Sequence, residues 1–214
     1  MLIPSVRKIH NRNSRKVIGF IYIPKMEGHV AWESQLEFCW LLQLAGDKSV
    51  SKIVSQPIKL SYLLEGEWRS YTPDVLVQWK DKSRSPTLYE VKPIKKAKKY
   101  RAKFQAIKQE AAKKGYKFLV VSEDVINQEP LNKNLKKLKH YSDVFVHSKE
   151  RALICAALAK HTCCTIAKLA SYFPSRSSGL CLIYKLLWDG FLFFNIHEEL
   201  TTQSKVSLGQ EVTK

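Results

Sequence analysis

Residues 71–92 read YTPDVLVQWKDKSRSPTLYEVK. Two short apolar runs, residues 75–77 and 88–91, flank the polar stretch DKSRSP at 81–86, whose residues are those of a turn. The pattern predicts a β-hairpin in which Asp74 opens the first strand and Glu90 and Lys92 stand near the end of the second. Side chains alternate along a strand, so Glu90 and Lys92 share one face while Val91 points into the core. The turn brings Asp74 back toward that pair. Two carboxylates and an ammonium on one sheet face suit a divalent cation with hard oxygen ligands, with the lysine stabilising negative charge on a phosphate. A Glu and a Lys two apart on a strand are more often merely solvated. The weight comes from Pro73-Asp74 standing sixteen residues ahead of Glu90, with an acidic helix upstream.

The whole chain sets the bounds. Its 214 residues make one large domain or two small ones with a real core. No apolar run approaches the ~20 residues of a membrane span, and residues 1–16 lack the apolar centre of a signal peptide. The five cysteines (Cys39, Cys155, Cys163, Cys164, Cys181) form no CxxC pair, which argues against a zinc knuckle or a disulfide framework. A bacterial cytoplasmic, nucleoid-associated location is the expectation. The charge is the most informative number: +17, with a pI near 9.7. Such an excess points to a polyanion, most simply nucleic acid, ahead of an acidic membrane surface.

From the N-terminus, residues 1–18 form a basic arm with Arg7, Lys8, Arg12, Arg15 and Lys16, a composition that tracks phosphates. Residues 19–23 (GFIYI) read as a strand, and 24–28 as a turn. Residues 32–46 read as a helix with Leu36, Trp40, Leu41 and Ala45 on its buried face. Glu33 and Glu37 share a face of that helix. Glu33 is expected only to complement the helix dipole, whereas Glu37 is expected at the active site. Strands follow at 50–54 and 58–64, then the turn Glu65-Gly66-Glu67 and a return at 68–71. Residues 95–117 predict one long helix with Tyr100, Phe104, Ile107 and Ala111 inward and a lysine-dense outer face. Lys95, Lys96, Lys99 and Lys103 are its candidate phosphate contacts. Residues 117–121 (KFLVV) then read as a parallel strand closing a βαβ step. Helix at 125–141 and a short strand at 144–146 complete a first domain over 19–147.

Beyond it, residues 148–214 order as three short helices (151–160, 165–172, 180–188) and two strands (191–196, 205–208). That is the order of a winged helix, an architecture that reads DNA in some proteins and docks protein in others. The segment is only weakly basic, and residues 180–188 are strongly apolar for a groove-reading helix. A protein-interaction role is expected. His140, His147, His161 and His197 show no metal spacing.

The strings Trp32-Glu33-Ser34-Gln35-Leu36-Glu37, Ser55-Gln56-Pro57, Tyr71-Thr72-Pro73-Asp74 and Glu90-Val91-Lys92-Pro93 occur in this order. Together they resemble the TnsA family of transposon-end endonucleases, within the PD-(D/E)xK nuclease superfamily. The N-terminal arm is similar to that of the short members found with CRISPR-associated transposons. The resemblance covers most of 7–120. Beyond that, only helix-rich character and the strand at 191–196 (FLFFNI) are similar.

The resemblance implies an α/β fold, a restriction-endonuclease-like PD-(D/E)xK core carrying a C-terminal winged-helix-like domain. Carried over residue by residue, the catalytic set falls on Glu37, Asp74, Glu90 and Lys92, with the metal held by Glu37, Asp74, Glu90 and the Val91 carbonyl. Some members carry Gln where this chain has Glu90. Gln56 aligns with a family Gln to which no role is assigned. Mg2+ is the implied cofactor, with Mn2+ as a substitute. The implied partners are double-stranded DNA at transposon ends, a TnsB-like transposase and a TnsC-like AAA+ ATPase. The implied reaction is cleavage of the 5′ strands at those ends during cut-and-paste transposition. Nothing resembles a P-loop, so no nucleotide cofactor is expected. Two alternatives stay open: a stand-alone restriction- or repair-type nuclease, and a non-catalytic DNA-binding scaffold.

Overall fold

Strands rich in β-branched and aromatic residues, separated by polar turns, build a mixed sheet with helices against it. The computed structural model describes residues 19–23, 28–159 and 163–209. The basic arm at 1–18 and His161 lie outside the described residues. The chain divides into two compact units, 1–127 and 128–214.

The first unit opens with an antiparallel pair, β1 (Gly19–Ile23) and β2 (Gly28–Trp32). Helix α1 (Gln35–Gly46) follows, then β3 (Val50–Ser55). A separate hairpin comes next, β4 (Leu60–Leu64) and β5 (Glu67–Tyr71), and then β6 (Val75–Trp79) and β7 (Thr87–Val91). Helices α2 (Ile94–Lys99) and α3 (Arg101–Lys113) lead to β8 (Lys117–Val121) and the single turn α4 (Glu123–Ile126). The central sheet has the order β3-β6-β7-β8, antiparallel except for the parallel β7–β8 pair. The expected hairpin and βαβ step are both present.

Strand alternation assigns the two sheet faces. Val54, Leu76, Leu88 and Phe118 form one core with Phe104, Ile107 and Ala111 of α3. On the other face Trp40 of α1 meets Tyr89, ring centroids 5.1 Å apart. Strand β7 is therefore buried along its whole length, as a central strand covered on both sides should be.

Several expectations are corrected. The chain around Trp32 is strand β2, not helix, because Ser34 caps α1 and sets its start. The buried side of α1 is Cys39, Leu41, Leu42 and Leu44. The long basic helix breaks at Tyr100, which leaves the helical region (φ −101°, ψ 23°), so Tyr100 is exposed instead of inward. The helix expected at 125–141 is interrupted by residues 127–130, and residues 144–146 form no strand.

The second unit begins at residue 128, ahead of the boundary expected at 148, and its first helix is α5 (Leu131–Lys139). The physical reason is burial: Leu138 belongs to one core with Ile154, Leu158, Ile166, Leu169, Ile183 and Leu186. Then come α6 (Ser148–Ala159), β9 (Cys164–Thr165), α7 (Ile166–Ala170) and α8 (Arg176–Trp188), followed by β10 (Leu192–Phe193) and β11 (Lys205–Leu208). Its small sheet has the order β10-β11-β9, both pairs antiparallel. Strand β9 escaped the sequence because two residues carry no period. No helix among the described residues is long and apolar enough to cross a membrane.

Candidate active site

The registers fix where the acids meet. Val54 faces Leu76 and Ser55 faces Val75, while Val75 faces Tyr89 and Leu76 faces Leu88. One residue further along, Gln56 stands opposite Asp74, and Asp74 opposite Glu90. The Gln56 N–H donates to the Asp74 carbonyl at 2.8 Å, which extends the ladder to this row. Asp74 and Glu90 share the parity of Leu76 and Leu88, so they lie on the α3 side of the sheet.

Asp74 Oδ2 accepts the Val91 N–H at 2.8 Å, so its side chain reaches across to β7. Glu90 is fully buried. The Lys92 ammonium lies 2.6 Å from Glu90 Oε1. It is off the line of a well-directed hydrogen bond, and neither Glu90 oxygen has one. Glu90, Lys92 and Asp74 are thus brought together as the spacing predicted, but the face they occupy is interior.

Electrostatics follow from that burial. Desolvation, and then the Glu90 charge, push the Asp74 carboxyl up to about 7. Burial disfavours the Lys92 ammonium, yet Asp74 and Glu90 more than offset it and its pKa is raised. Burial and the charge of Glu90 raise the Tyr71 hydroxyl too. The Lys103 ammonium sits 4.1 Å from the centre of the Tyr71 ring. Burial lowers its pKa, with the Glu90 charge opposing. Two cations and a phenol thus surround two crowded acids.

Glu37 is placed differently. Its Oε2 accepts the Glu33 N–H at 2.8 Å, and its Oε1 accepts the Ser34 hydroxyl at 3.1 Å. The Glu37 N–H in turn donates to Ser34 Oγ at 3.2 Å, the side-chain cap of α1, while the Glu37 carboxylate reaches back to the residue ahead of that cap. Glu37 nevertheless feels the site: burial, then Asp74, raise its pKa. Among the described residues no three His, Cys, Asp or Glu side chains are poised to hold a metal ion. The structure pairs Asp74 with Glu90 and leaves Glu37 on its helix cap.

Lys95, Lys96 and Lys99 are exposed on α2, which starts two residues after Lys92. None of them has an acid at ion-pair distance among the described residues. Lys103, on α3, is half-buried over Tyr71. Gln56, which the sequence singles out only through the resemblance and without a role, has an unusual setting in the structure. Its φ is +46°, it is 7% exposed, and its Oε1 has no hydrogen-bond partner. A left-handed non-glycine residue costs about 1–3 kcal/mol, and one preceding a proline is pushed further toward extended backbone. No periodicity in the sequence signals such a backbone.

Residues 47–123 match the family model described as TnsA-like endonuclease, N terminal. The match spans just over a third of the chain and contains Gln56, Asp74, Glu90 and Lys92. This segment is therefore similar to the N-terminal part of TnsA-like endonucleases. Glu37 lies ahead of the matched segment and the second unit beyond it. No curated protein matches the chain.

Proposed function

We propose that this TnsA-like chain is the metal-dependent nuclease subunit of a heteromeric transposase, cutting the 5′ strands at the ends of a mobile DNA element. The observation that carries the reading is Glu90: a carboxylate with no exposure, beside the half-buried acid Asp74, with no well-directed hydrogen bond. Buried charge is retained at such cost where a ligand completes it.

The donors fit a hard divalent cation. Asp74, Glu90 and the Val91 carbonyl are oxygen donors of the kind Mg2+ or Mn2+ takes and would hold it, with Glu37 completing the set directly or through water. When bound, the cation polarises the scissile phosphate and lowers the pKa of water. The remaining work is the chain's own. The Val91 N–H holds Asp74 across the two strands. Lys92, released from Glu90, turns its charge toward the oxygens that become more negative as phosphorus gains a fifth bond. In the reaction a water oxygen bonds to phosphorus and the bond to the 3′ oxygen breaks. The 3′ oxygen leaves as a hydroxyl, the other end keeps the phosphate, and the water's second proton goes to solvent. Exposed Lys95, Lys96 and Lys99, with Lys103, carry the flanking phosphates.

The order β10-β11-β9, with β9 between α6 and α7, supports reading the second unit as a winged helix. Lys185 of α8 is spent on the Ser142 carbonyl (2.6 Å) and Asp189 (2.9 Å). The loop between β10 and β11 carries Glu198 and Glu199. Both features favour docking to protein, a TnsB-like transposase or TnsC-like ATPase, over contact with DNA. The test is strand cutting at an element's ends, with and without the transposase. Asp74→Ala is expected to cut no 5′ strand while keeping its fold. Undiminished cutting by that variant would remove the site assignment, and full activity of the chain alone would favour a stand-alone nuclease.

A further inference from the structure

The buried side-chain oxygens without a hydrogen-bond partner, among the described residues, are three: both oxygens of Glu90 and Oε1 of Gln56. All three belong to one transverse row, Gln56–Asp74–Glu90, across adjacent strands β3, β6 and β7. Strands lie about 4.8 Å apart, so Gln56 is one strand-width from Asp74. Native proteins leave few buried acceptors unpaired, and each one left calls for a reason, such as a catalytic role or a water or ion that binds there. Gln56 is also fixed by its backbone. Its N–H is tied to the Asp74 carbonyl and its φ is +46°, so the chain keeps a strained residue where glycine would be relaxed.

We infer that Gln56 is a further catalytic residue of the proposed nuclease centre, its Oε1 accepting a hydrogen bond from the water that attacks phosphorus. A neutral carbonyl suits that place. It orients the water's lone pair without adding a third negative charge beside Asp74 and Glu90, and it takes no proton. This rests on the nuclease reading of the same site.

The experiment compares parent, Gln56→Met and Gln56→Gly, as full chains, in three measurements: thermal midpoint without metal, its rise on adding Mn2+, and single-turnover 5′-strand cutting with DNA and transposase. Gln56→Met removes the acceptor and keeps the length; Gln56→Gly also releases the backbone. Both are expected to melt higher than the parent without metal, by about 2–4 °C for Gln56→Met. Both are expected to gain less from Mn2+, because its water has lost an acceptor, and to cut at least tenfold more slowly with DNA affinity within twofold. Variants that melt lower, with cutting lost in proportion, would make Gln56 a structural residue and overturn the inference. So would cutting within twofold of the parent. A parent that neither gains stability with Mn2+ nor cuts contradicts the nuclease reading itself, which a failure confined to the variants does not.

Discussion

The two units bury polar side chains in opposite ways. In the second, Asn134 is 2% exposed and fully used: its amide donates to the Ile196 carbonyl (2.8 Å) and the Glu198 carbonyl (2.7 Å), and its Oδ1 accepts the Leu200 N–H at 3.0 Å. In the first, Glu90 and Gln56 are also buried, yet Gln56 Oε1 and both Glu90 oxygens lack a hydrogen-bond partner, and Glu90 Oε1 meets only the Lys92 ammonium as an ion pair. A satisfied buried amide pins a loop and specifies one packing. An unsatisfied buried carboxylate weakens the fold and is compensated only when something binds. The difference separates scaffold from site more sharply than charge does, since lysines are plentiful in both units.

The contrast breaks if the two kinds of residue respond alike. Glu90→Gln is expected to lower 5′-strand cutting by at least about 100-fold while leaving the melting temperature equal or higher. Asn134→Leu is expected to cost about 3 kcal/mol, roughly 1 kcal/mol for each of three lost bonds, as measured by denaturant unfolding. Its cutting should follow stability alone. Equal destabilisation by the two substitutions would show that Glu90 is structural.

The next effect concerns the boundary. Fragments 1–127 and 128–214 are expected to fold separately, because each keeps its own core. A fragment 148–214 lacks α5, and with it Leu138 and the Asn134 bonds, so it should unfold at lower denaturant than 128–214. Circular dichroism through a urea titration decides this. Fragment 128–214 should also retain a transposase or ATPase in pull-down while binding duplex DNA weakly. Tight DNA binding without a protein partner would make it a DNA reader.

That boundary also shows where the sequence was silent. The hairpin at 71–92 was legible because alternation, turn residues and the Asp74-to-Glu90 spacing all agreed, and the βαβ step because KFLVV follows an amphipathic helix. The role of α5 was not, because its lysines advertise solvent while Asn132, Asn134, Leu135 and Leu138 face inward. The charge of Glu37 points toward a site, while Ser-x-x-Glu in the same stretch signals its cap with Ser34. The setting of Gln56 lay beyond reach, since burial and a left-handed φ are set by tertiary structure and not by local pattern.

Smaller effects sharpen the picture. Reversing Lys95, Lys96 and Lys99 to Glu should flatten the salt dependence of DNA binding, the log–log slope falling by about 0.9 for each phosphate no longer neutralised. Identical slopes in salt titrations would mark that face as merely solvated. The smallest contrast sets the two strained residues side by side. Glu65, at φ +53° in the tight turn with Gly66, is exposed, so Glu65→Gly should raise the melting temperature by about 1–3 °C and leave cutting unchanged. Strain at Glu65 belongs to a turn, and strain at Gln56 to the site.

That Asp74 and the buried Glu90 are held side by side for a cation can be checked by locating Mn2+ in crystals of the DNA-bound protein through its anomalous scattering. A peak is expected about 2.0–2.6 Å from oxygens of both Asp74 and Glu90, with the Lys92 ammonium moved off Glu90 toward phosphate. A peak elsewhere, or none while Lys92 still sits on Glu90, would contradict it.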